Sequence, residues 1–405
     1  MARIRKKRRR PDKPGQPPPD GGSAAADGSG GAAGAPTDGV PAAATATVAA
    51  AAAAAAAAVA AATPPHPRFP RPTLSVALPG SILSNAQSPE LRTYLAGQIG
   101  RALAIYRVDE VVIFGELPAA GAVSGPSSGP GRRRPSMPVP EADDLLALLL
   151  TYLETPQYLR KHLFPLNPAL RLAGLLNPLA ASHHLAFDEA FRFREGVVVP
   201  PPGVAPAGAD DPPPSTLVDV GLRRWAVLPA PAACHTRVTV DFGGAFTTAE
   251  AVPGRHLPAT RVDRTAPRDT AVAGWPGGRY WGYTVRRAAA LSGVFDGCPH
   301  VGGYDLAVGT SERGAEAPAD VRRLGAGGGW AHAVLVLGGV AGLEHAVRGD
   351  PRLAASGVET PGGGARVADL FDAYVNVCPT QGSNTIRTEE ALLIALAALA
   401  PALGL

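Results

Sequence analysis

Cysteine is scarce in this sequence: the 405 residues include three, Cys234, Cys298 and Cys378. They lie too far apart along the chain for the ligand pair of a zinc site, so we expect no metal. Their odd number and low frequency are typical of a protein in a reducing compartment rather than of a disulfide-linked secreted domain.

Two phosphate-binding motifs are also absent. The sequence contains no G-x-x-x-x-G-K-[ST], which excludes a P-loop. The stretch Gly338-Gly339-Val340-Ala341-Gly342 is close to the dinucleotide motif G-x-G-x-x-G, but Leu337 stands where its first glycine would be. A ligand held at this stretch would therefore lack a phosphate cradle of either kind.

Strongly apolar runs long enough to cross a membrane are missing as well. Hydrophobic residues make up 46% of the chain, but much of this fraction is alanine in low-complexity tracts. The block from Ala42 to Ala62 contains no Leu, Ile or Phe and has no aromatic belt, which disfavours a membrane span. We expect no membrane-spanning segment.

The charge balance is mildly basic, with a net charge of +4 and an isoelectric point of about 9.1. This fits a nucleic-acid partner without demonstrating one. Much of the excess lies in Arg3 to Arg10, RIRKKRRR, which we interpret as a nuclear or nucleolar localisation signal that also touches RNA. A solvated tail is one alternative. An organelle transit peptide is another, which the compact basic run and the acids Asp12 and Asp20 disfavour.

Glycine and proline are abundant, with 48 and 43 residues, and they cluster in stretches that we do not expect to fold. These are the first 70 residues and inserts at Gly121 to Pro140, Pro200 to Pro214 and Gly325 to Gly329. The predicted organisation is a disordered tail at 1–70, the first half of an α/β domain at 71–194, a β-barrel inserted at 195–282, and the second half of the α/β domain at 283–405.

The first ordered segment has the strand, helix, strand order of a parallel sheet. Thr73 to Leu78 is a predicted strand, and a helix follows from Pro89 to Ile105 with Ser88 as its N-cap. The apolar run Glu110 to Phe114 predicts a second strand covered on both faces. Helical periodicity returns from Glu141 to Leu163. Together these elements predict a right-handed βαβ unit followed by a further helix.

Short β segments dominate from about Glu195 to Val285, and Pro/Gly turns between them predict a small barrel. The predicted strands are Gly196–Val199, Leu217–Gly221, Arg237–Phe242 and Tyr280–Val285, and a helix is predicted from Tyr283 to Phe295. Aromatic residues and arginines alternate here, and either they form an RNA-binding surface or the aromatics fill the barrel core. These residues are Trp225, Phe242, Phe246, Trp281, Arg223, Arg224, Arg237, Arg255, Arg261, Arg264 and Arg268.

Three strand-plus-loop units complete the chain, and each apolar strand ends in small or polar residues. The loops begin at Gly309-Thr310-Ser311, at Gly338-Gly339 and at Asn376, and the third leads into an apolar helix with Thr388 as its predicted N-cap. An α/β sheet binds its ligand beyond the carboxyl ends of its strands, where such loops expose backbone groups. An adenosine with a small charged tail fits, and S-adenosylmethionine is the commonest example.

Seven blocks of this sequence, in order, resemble the SPOUT-class RNA methyltransferases, in particular the archaeal and eukaryotic branch with an inserted OB-like β-barrel. The blocks are Thr73–Ile99, Thr155–Pro165, Ala173–Leu179, Tyr280–Arg286, Gly303–Gly314, the VLGGVAGLE stretch around Leu337, and the stretch from Cys378 through the last helix. The resemblance covers about Pro72 to Leu403. It implies a homodimeric α/β fold with a parallel sheet, a trefoil knot in the C-terminal segment, and S-adenosylmethionine bound at the knot.

The resemblance also implies which residues form the site. The cofactor-binding residues would be Gly309, Thr310, Ser311, Arg313, Gly338, Gly339, Asn376, Gly382, Ser383, Thr385 and Ile386. The residues implied to face the substrate and assist catalysis are Asn85, Arg313 and Arg387. The long inserts lie outside the matching blocks, so they leave the cofactor site intact and put the RNA path in doubt.

The chemistry asks little of the protein beyond positioning, because methyl transfer from a sulfonium is an in-line displacement. A ring nitrogen also needs its proton removed or its developing charge stabilised. We predict that Arg313 or Arg387 stabilises a uridine anion, and that the target is N3 of a uridine in ribosomal RNA. Glu390 either orients Arg387 or merely suits the helix dipole. Cys378 as a covalent nucleophile is disfavoured against a backbone role in its loop.

The alternative function is a non-catalytic RNA-binding or assembly protein, associated with the ribosome or with the mitotic spindle and centromere. Intact glycines and polar residues in all three loops favour the enzyme. The helix from Ala391 to Leu399 is apolar on every face, which together with the resemblance predicts a homodimer. The expected partners are therefore RNA, S-adenosylmethionine and a second copy of the chain.

Overall fold

The computed structural model describes residues 71–116, 139–202, 213–243, 254–272, 274–314, 321, 329–355 and 367–404. All of them belong to one compact unit, Pro67–Leu405. The basic run, the alanine block, most of the three Gly/Pro-rich inserts and Phe246 lie outside the described residues. Within the described ranges, every helix is too short or too polar to cross a membrane.

The described secondary structure alternates between strands and helices at both ends of the chain and is almost all strand in the middle. The strands are β1 (Thr73–Pro79), β2 (Glu110–Phe114), β3 (Phe193–Val198), β4 (Ser215–Asp219), β5 (Ala226–Ala232), β6 (Arg237–Asp241), β7 (Leu257–Pro258), β8 (Thr260–Val262), β9 (Thr284–Ala288), β10 (Leu306–Thr310), β11 (His332–Leu337) and β12 (Ala373–Val375). The helices are α1 (Pro89–Ile105), α2 (Val139–Glu154), α3 (Gln157–Leu163), α4 (Ala266–Asp269), α5 (Ser292–Asp296), α6 (Leu343–Gly349), α7 (Pro351–Ala355) and α8 (Thr388–Leu403).

Six strands form a sheet in the order β12-β10-β11-β1-β2-β9, and every neighbouring pair is parallel. The central strand β1 is buried along its whole length. Alternate residues of β2 enter two cores: Val111 and Ile113 pack with α1, α2 and α8, whereas Val112 and Phe114 pack with α5 and α6. This two-sided burial explains the continuous apolar runs of the sequence.

The predicted strand, helix, strand order is confirmed, and β1 and β2 pair in parallel; the right-handed crossover stays a prediction. The helix α1 begins at Pro89 and ends at Ile105, and the Ser88 hydroxyl accepts a hydrogen bond from the backbone N–H of Leu91 at 3.3 Å. The predicted helix 141–163 is instead two helices, α2 and α3, separated at Thr155 and Pro156. Proline disfavours a helical conformation for the residue before it, which accounts for the break.

The helix predicted from Tyr283 to Phe295 is wrong. Residues 284–288 form β9, the edge strand beside β2, and only Ser292–Asp296 is helical. The arginines and alanines of this stretch are good helix formers, but pairing with a distant strand overrides their preference. Arg286 anchors the strand, because its Nε donates to the buried Glu110 carboxylate at 2.7 Å.

The other six strands form a second sheet in the order β7-β5-β4-β3-β6-β8, inserted between β2 and β9. Its pairs are antiparallel except for β5 with β7. Contacts between β5 and β8 bring the sheet close to a closed barrel. The sequence prediction missed β5, because Pro229 and Pro231 lie within it. β3 and β9 begin near the predicted domain boundaries, which themselves stay predictions.

Buried charges join the second sheet to the helix α2, which packs against the parallel sheet. Arg237 on β6 donates from Nη1 to Glu154 at 2.5 Å and from Nε to Glu195 at 2.6 Å, and Arg264 donates to Glu154 at 2.6 Å. Glu154 ends α2, whereas Glu195 lies on β3. Although burial opposes ionisation, Arg237 and Arg264 hold the pKa of Glu154 well below its usual value. We call Glu154, Glu195, Arg237 and Arg264 the junction network.

Three of the aromatic residues that alternate with arginines are described, and all three pack inside the insertion, whereas Trp275 of the same insertion is 43% exposed. Trp281 is 3% exposed and donates its Nε1–H to Glu195 at 2.6 Å. Trp225 and Phe242 pack against buried clusters of the same sheet. Of the two roles left open by the sequence, these three aromatics have the structural one. Exposed arginines remain available to a nucleic acid at 223, 255 and 261.

Candidate functional site

Loops from five strands of the parallel sheet meet at one edge. They follow β1, β2, β10, β11 and β12, and because these strands are parallel, all five loops start at their carboxyl ends. We call this side the carboxyl edge. Every residue that the sequence placed in the cofactor or catalytic site lies in one of these loops, among the last two residues of a strand, or at the start of α8.

The loop after β10 is held by its neighbours. The Thr310 hydroxyl lies 3.4 Å from the carbonyl of Val336, and the Ser311 N–H donates to the carbonyl of Val375 at 3.1 Å. The Ser311 hydroxyl accepts a hydrogen bond from the N–H of Arg313 at 3.1 Å. These bonds fix the backbone of the loop between the ends of β11 and β12.

Arg313 extends from this loop into solvent. Its side chain is 71% exposed, and Nη1 lies 3.5 Å from Oε1 of Glu344 in the first turn of α6. An exposed pair of this kind contributes at most about 1 kcal/mol. The guanidinium can therefore leave Glu344 and turn toward an anionic ligand at the carboxyl edge without a large cost.

Gly309 has a packing role that the sequence did not reveal. It lies within β10, and a Cβ atom at this position would be 2.6 Å from Cδ2 of Phe371. The space left by the missing side chain is thus taken by the Phe371 ring. The predicted contact of Gly309 with the cofactor stays a prediction.

The loop after β11 leaves no room for side chains at its two glycines. A Cβ atom on Gly338 would be 2.6 Å from the backbone nitrogen of Leu343, and a Cβ on Gly339 would be 2.9 Å from both carboxylate oxygens of Glu116. The loop closes where Gly342, at φ 77°, donates its N–H to the Gly339 carbonyl at 3.0 Å. Gly339 is therefore in direct contact with an acid from the loop after β2.

The loop after β12 is tied to the loop after β10 through Asn376. The Asn376 amide donates to the carbonyl of Glu312 at 2.9 Å, and its Oδ1 accepts from the N–H of Cys378 at 3.0 Å. The Cys378 carbonyl accepts from the N–H of Gln381 at 3.2 Å. The described hydrogen bonds of Cys378 are thus made by its backbone, as the structural role predicted.

The tip of this loop presents polar groups to solvent. Gly382, Ser383 and Thr385 are exposed, and Ile386 is half-buried. The Ser383 hydroxyl donates to the Thr385 carbonyl at 3.0 Å, and the Gln381 side chain donates to the Ser383 carbonyl at 3.0 Å. The loop is thus shaped by its own side chains.

The helix α8 starts directly against the loop after β11. The Thr388 hydroxyl donates to the Gly338 carbonyl at 3.1 Å, and the N–H of Arg387 donates to Oε2 of Glu390 at 3.0 Å. Arg387 is the N-cap, so the prediction of Thr388 as N-cap is wrong by one residue. The hydroxyl that would have capped the helix binds the neighbouring loop instead. Glu390 binds the Arg387 backbone, which is the helix-end role.

Asn85, the remaining predicted substrate-facing residue, is the exposed last residue of the 3-10 turn Gly80–Asn85 that follows β1. The same turn contains Ser81, whose hydroxyl donates to Oε2 of Glu116. This turn thus brings an exposed polar group, Asn85, and a half-buried one, Ser81, to the same edge.

Two acids at the carboxyl edge were missed by the sequence analysis. Glu116 follows β2 and is 9% exposed, and its Oε1 is buried without a hydrogen-bond partner among the described residues. Asp143 on α2 is 3% exposed, and its Oδ2 lies 3.6 Å from Nη2 of Arg287. Burial raises the pKa of Asp143 to about 6 against the opposing effect of Arg287, and the charge of Glu116 adds to the rise. For Glu116, the signal in the sequence was an acid two residues after an apolar strand.

The described residues contain no group of three or more His, Cys, Asp or Glu side chains that could hold a metal ion. Chemistry at the carboxyl edge is available from arginines, amides, hydroxyls and two buried carboxylates. Such a set can hold a cationic ligand, stabilise an anion and accept a proton.

Comparison with known proteins gives one family over nearly all of the described residues. The family model described as "Putative RNA methyltransferase" matches residues 73–399, which include both sheets and all five loops of the carboxyl edge. A relative from Mus musculus named 28S rRNA (uridine-N(3))-methyltransferase is 46% identical over 336 residues, covering 82% of this chain and 77% of the relative.

Two further relatives carry the same name. The one from Homo sapiens is 45% identical over 333 residues, covering 82% of this chain and 78% of its own. The one from Drosophila melanogaster is 42% identical over 329 residues, covering 81% of this chain and 61% of its own. With these matches and the loops at the carboxyl edge, this chain belongs to that family of RNA methyltransferases.

Proposed function

We propose that this protein transfers a methyl group from S-adenosylmethionine to N3 of a uridine in ribosomal RNA. The observation that carries the proposal is the identity of 45–46% to two relatives named for this reaction, over an alignment covering 82% of the chain. Their names also favour an enzyme over the non-catalytic RNA-binding or assembly role. The geometry of the carboxyl edge supplies the groups that the reaction needs.

The residues at the carboxyl edge fit a bound adenosine with a charged tail. The glycines at 338 and 339 let the loop after β11 pack closely against Leu343 and Glu116, where a side chain would collide, and this close packing shapes the backbone that the cofactor would contact. The exposed tip at Gly382 to Thr385 offers backbone groups to the adenine ring. The carboxylate of Glu344 lies beside the loop after β10 and suits a ligand with a positive charge. When bound, the cofactor supplies the methyl group on a positively charged sulfur.

The chain's own residues would position the base and stabilise its charge. Loss of the N3 proton leaves negative charge on the uridine ring and its carbonyl oxygens, which an arginine can stabilise. Arg313 and Arg387 are both exposed at this edge, and Asn85 offers an amide from the loop after β1. Rate enhancement would come largely from holding N3 in line with the methyl group.

The proposed fold class is SPOUT, with a trefoil knot near the C-terminus and an OB-like insertion. Support comes from the topology of the parallel sheet. Strand β12 pairs with β10, and the chain after β12 then runs to the loop that follows β11, where α8 begins. The bonds of Asn376 to Glu312 and of Thr388 to Gly338 hold the returning segment against the two preceding loops. The near-closed second sheet supports the OB-like barrel.

The proposed assembly is a homodimer. The helix α8 buries Leu392, Leu396 and Leu399 on one face and leaves Leu393 46% exposed on another. The neighbouring α1 leaves Leu91 53% exposed. These apolar positions on adjacent helices are the surface that a second copy would cover. The proposed location of the dimer is the nucleus or nucleolus, on the strength of the basic run near the N-terminus.

Light scattering at micromolar concentration tests the assembly. We expect a dimer for the wild type and a monomer for Leu393→Lys, which would bury a charge in the interface. Leu166→Lys is the matched control, because Leu166 is a fully exposed leucine that belongs to neither helix. A monomeric wild type would contradict the proposed dimer.

The proposed reaction is tested by product analysis. Ribosomal RNA incubated with the protein and labelled S-adenosylmethionine should yield labelled 3-methyluridine on nucleoside mass spectrometry. Gly339→Leu should bind no cofactor by calorimetry, because the new side chain would occupy the space beside Glu116. A methyl group on the ribose, or wild-type protein that binds cofactor but leaves RNA unmodified, would overturn the proposal.

A further inference from the structure

The buried carboxylate of Glu116 has an unused acceptor. Its Oε2 is occupied by the Ser81 hydroxyl, whereas Oε1 is buried and lacks a hydrogen-bond partner within the described ranges. Native proteins pair nearly all buried polar atoms, because an unpaired one costs about 1–3 kcal/mol, and more when it is charged. The unpaired oxygen of Glu116 therefore points to a ligand that donates a hydrogen bond or a proton to it.

The charged side chains near Glu116 do not supply a hydrogen-bond partner for its Oε1. Asp143 on α2 is a second buried carboxylate close enough to feel the charge of Glu116, and its partner Arg287 on β9 pairs with Asp143. Arg313 on the other side of the edge pairs with Glu344. With an acid beside it and both neighbouring cations paired with other acids, Oε1 of Glu116 is left without a partner among the described residues.

The position of Glu116 matches that of the reacting groups. Gly339, in the loop after β11, lies so close that an added Cβ would be 2.9 Å from both carboxylate oxygens. The 3-10 turn with Ser81 and Asn85 lies on the other side of Glu116. Glu116 is thus placed between a glycine loop suited to the methyl donor and a turn suited to the target base.

We propose that Glu116 is the general base of the methyl transfer, an assignment that rests on the proposed function. Oε1 accepts the proton from N3 of the uridine while the N3 electron pair forms a bond to the methyl carbon. The bond between that carbon and the sulfonium sulfur breaks, and the sulfur keeps its electron pair. Glu116, now a neutral carboxylic acid, returns the proton to solvent after the product leaves.

Ser81 is a positioning residue in this arrangement. Its hydroxyl donates to Oε2 and so fixes the carboxylate, which leaves Oε1 as the oxygen that receives the proton. Ser81→Ala should lower the rate by roughly tenfold, the scale of one lost positioning bond, while the pH profile keeps the shape of the wild type.

The test is Glu116→Gln, measured by single-turnover methylation and by calorimetry with S-adenosylmethionine. At neutral pH we expect the rate to fall by about 10²–10⁴-fold, the usual contribution of a general base. Cofactor affinity should stay within about twofold, because the glutamine preserves the shape of the side chain. The residual rate should rise roughly tenfold per pH unit toward alkaline pH, since the variant depends on uridine that has already lost its N3 proton.

Glu141→Gln is the matched control, because it makes the same change at an exposed acid two residues before Asp143 on α2; it should behave as wild type. If Glu116→Gln binds no cofactor because it fails to fold, Glu116→Asp replaces it. The shorter carboxylate should react more slowly than wild type and retain the wild-type pH profile.

Several outcomes would overturn the assignment. Glu116→Gln with wild-type rate, or with a pH profile parallel to wild type, would show that Glu116 takes no proton. A raised cofactor dissociation constant with a normal rate at saturation would make it a ligand of the cofactor's ammonium group. Product analysis distinguishes a wrong role for Glu116 from a wrong proposed function. If the wild type methylates another atom, both the proposed function and the role of Glu116 are wrong. If a fully active Glu116→Gln produces 3-methyluridine, only the assignment of Glu116 as general base is wrong.

Discussion

The junction network and the carboxyl edge both contain buried carboxylates, but the two regions differ in how many of the carboxylate oxygens have hydrogen-bond partners. At the junction, Glu195 accepts from Thr239 and Trp281 at Oε1 and from Arg237 at Oε2, and Glu154 is bound through both oxygens as well. At the edge, Glu116 keeps one oxygen unpaired. Carboxylates with partners on both oxygens indicate a structural role at the junction. A buried carboxylate with an unpaired oxygen indicates a role in binding or catalysis.

The comparison predicts that a charge at the edge affects activity and leaves stability unchanged. Arg313→Ala should lower methylation by roughly two to four orders of magnitude, because it removes a group that stabilises the uridine anion and positions the base. Its exposed pair with Glu344 contributes at most about 1 kcal/mol, so thermal unfolding should be nearly unaffected. Single-turnover rates and a melting curve of the same preparation check both halves. Wild-type activity in Arg313→Ala would refute the assigned role.

The junction should show the reverse pattern. Glu154→Gln removes the negative partner of Arg237 and Arg264 and leaves buried positive charge, which should cost about 3–5 kcal/mol of unfolding free energy. The cofactor dissociation constant of the folded fraction should not change, because the residue lies at the far end of α2 from Asp143. Urea denaturation and calorimetry measure these quantities. A stability loss below about 1 kcal/mol would show that the junction network does not hold the sheets together.

The two regions should also respond to acid in opposite senses. Glu154 has a folded-state pKa below its unfolded value of 4.5, so its stabilisation is complete above that value and is lost as the pH falls further. Asp143 has a folded-state pKa raised to about 6 from 3.8, so it penalises the folded state above pH 6 and ceases to do so near pH 4.

Urea denaturation midpoints should therefore rise on acidification from neutral pH toward about pH 4.5, by an amount that corresponds to on the order of 1 kcal/mol of unfolding free energy. At pH values below about 4.5 the midpoints should fall again. Asp143→Asn should reduce the rise, to which Asp109 also contributes because burial raises its pKa to about 6 as well, and Glu154→Gln should reduce the fall. A midpoint that decreases steadily from neutral pH would contradict the contribution of Asp143.

Local signals in the sequence predicted the parts of the fold that depend on them. β1, β2 and α1 were placed to within a residue because apolar runs, the Ser88 cap and Pro89 act over a few positions. β9 was predicted as a helix because its strand conformation depends on pairing with β2, far back in the chain. β5 was missed because its two prolines disfavour a strand everywhere except near an edge.

The candidate site was predictable as a set of loops and not as a set of contacts. The loops after β10, β11 and β12 follow apolar strands and are rich in glycine and polar residues, so their common edge could be inferred. That Gly309 makes room for Phe371, and that Gly339 faces Glu116, depends on which distant side chains arrive beside them. An acid after a strand is common in loops, and only its burial distinguishes Glu116.

The central strand β1 has partners at very different distances along the chain. Ser75 bonds to Glu110, 35 positions later, whereas Thr73 bonds to His332, 259 positions later. During synthesis, at about 5–20 residues per second, β1 and β2 can pair early, but the other edge of β1 stays open until β11 has left the ribosome. A nascent chain thus presents an apolar, unpaired strand for many seconds, and contacts of such long range fold slowly. The protein should therefore depend on chaperones that cover this strand until the last third of the chain has been made.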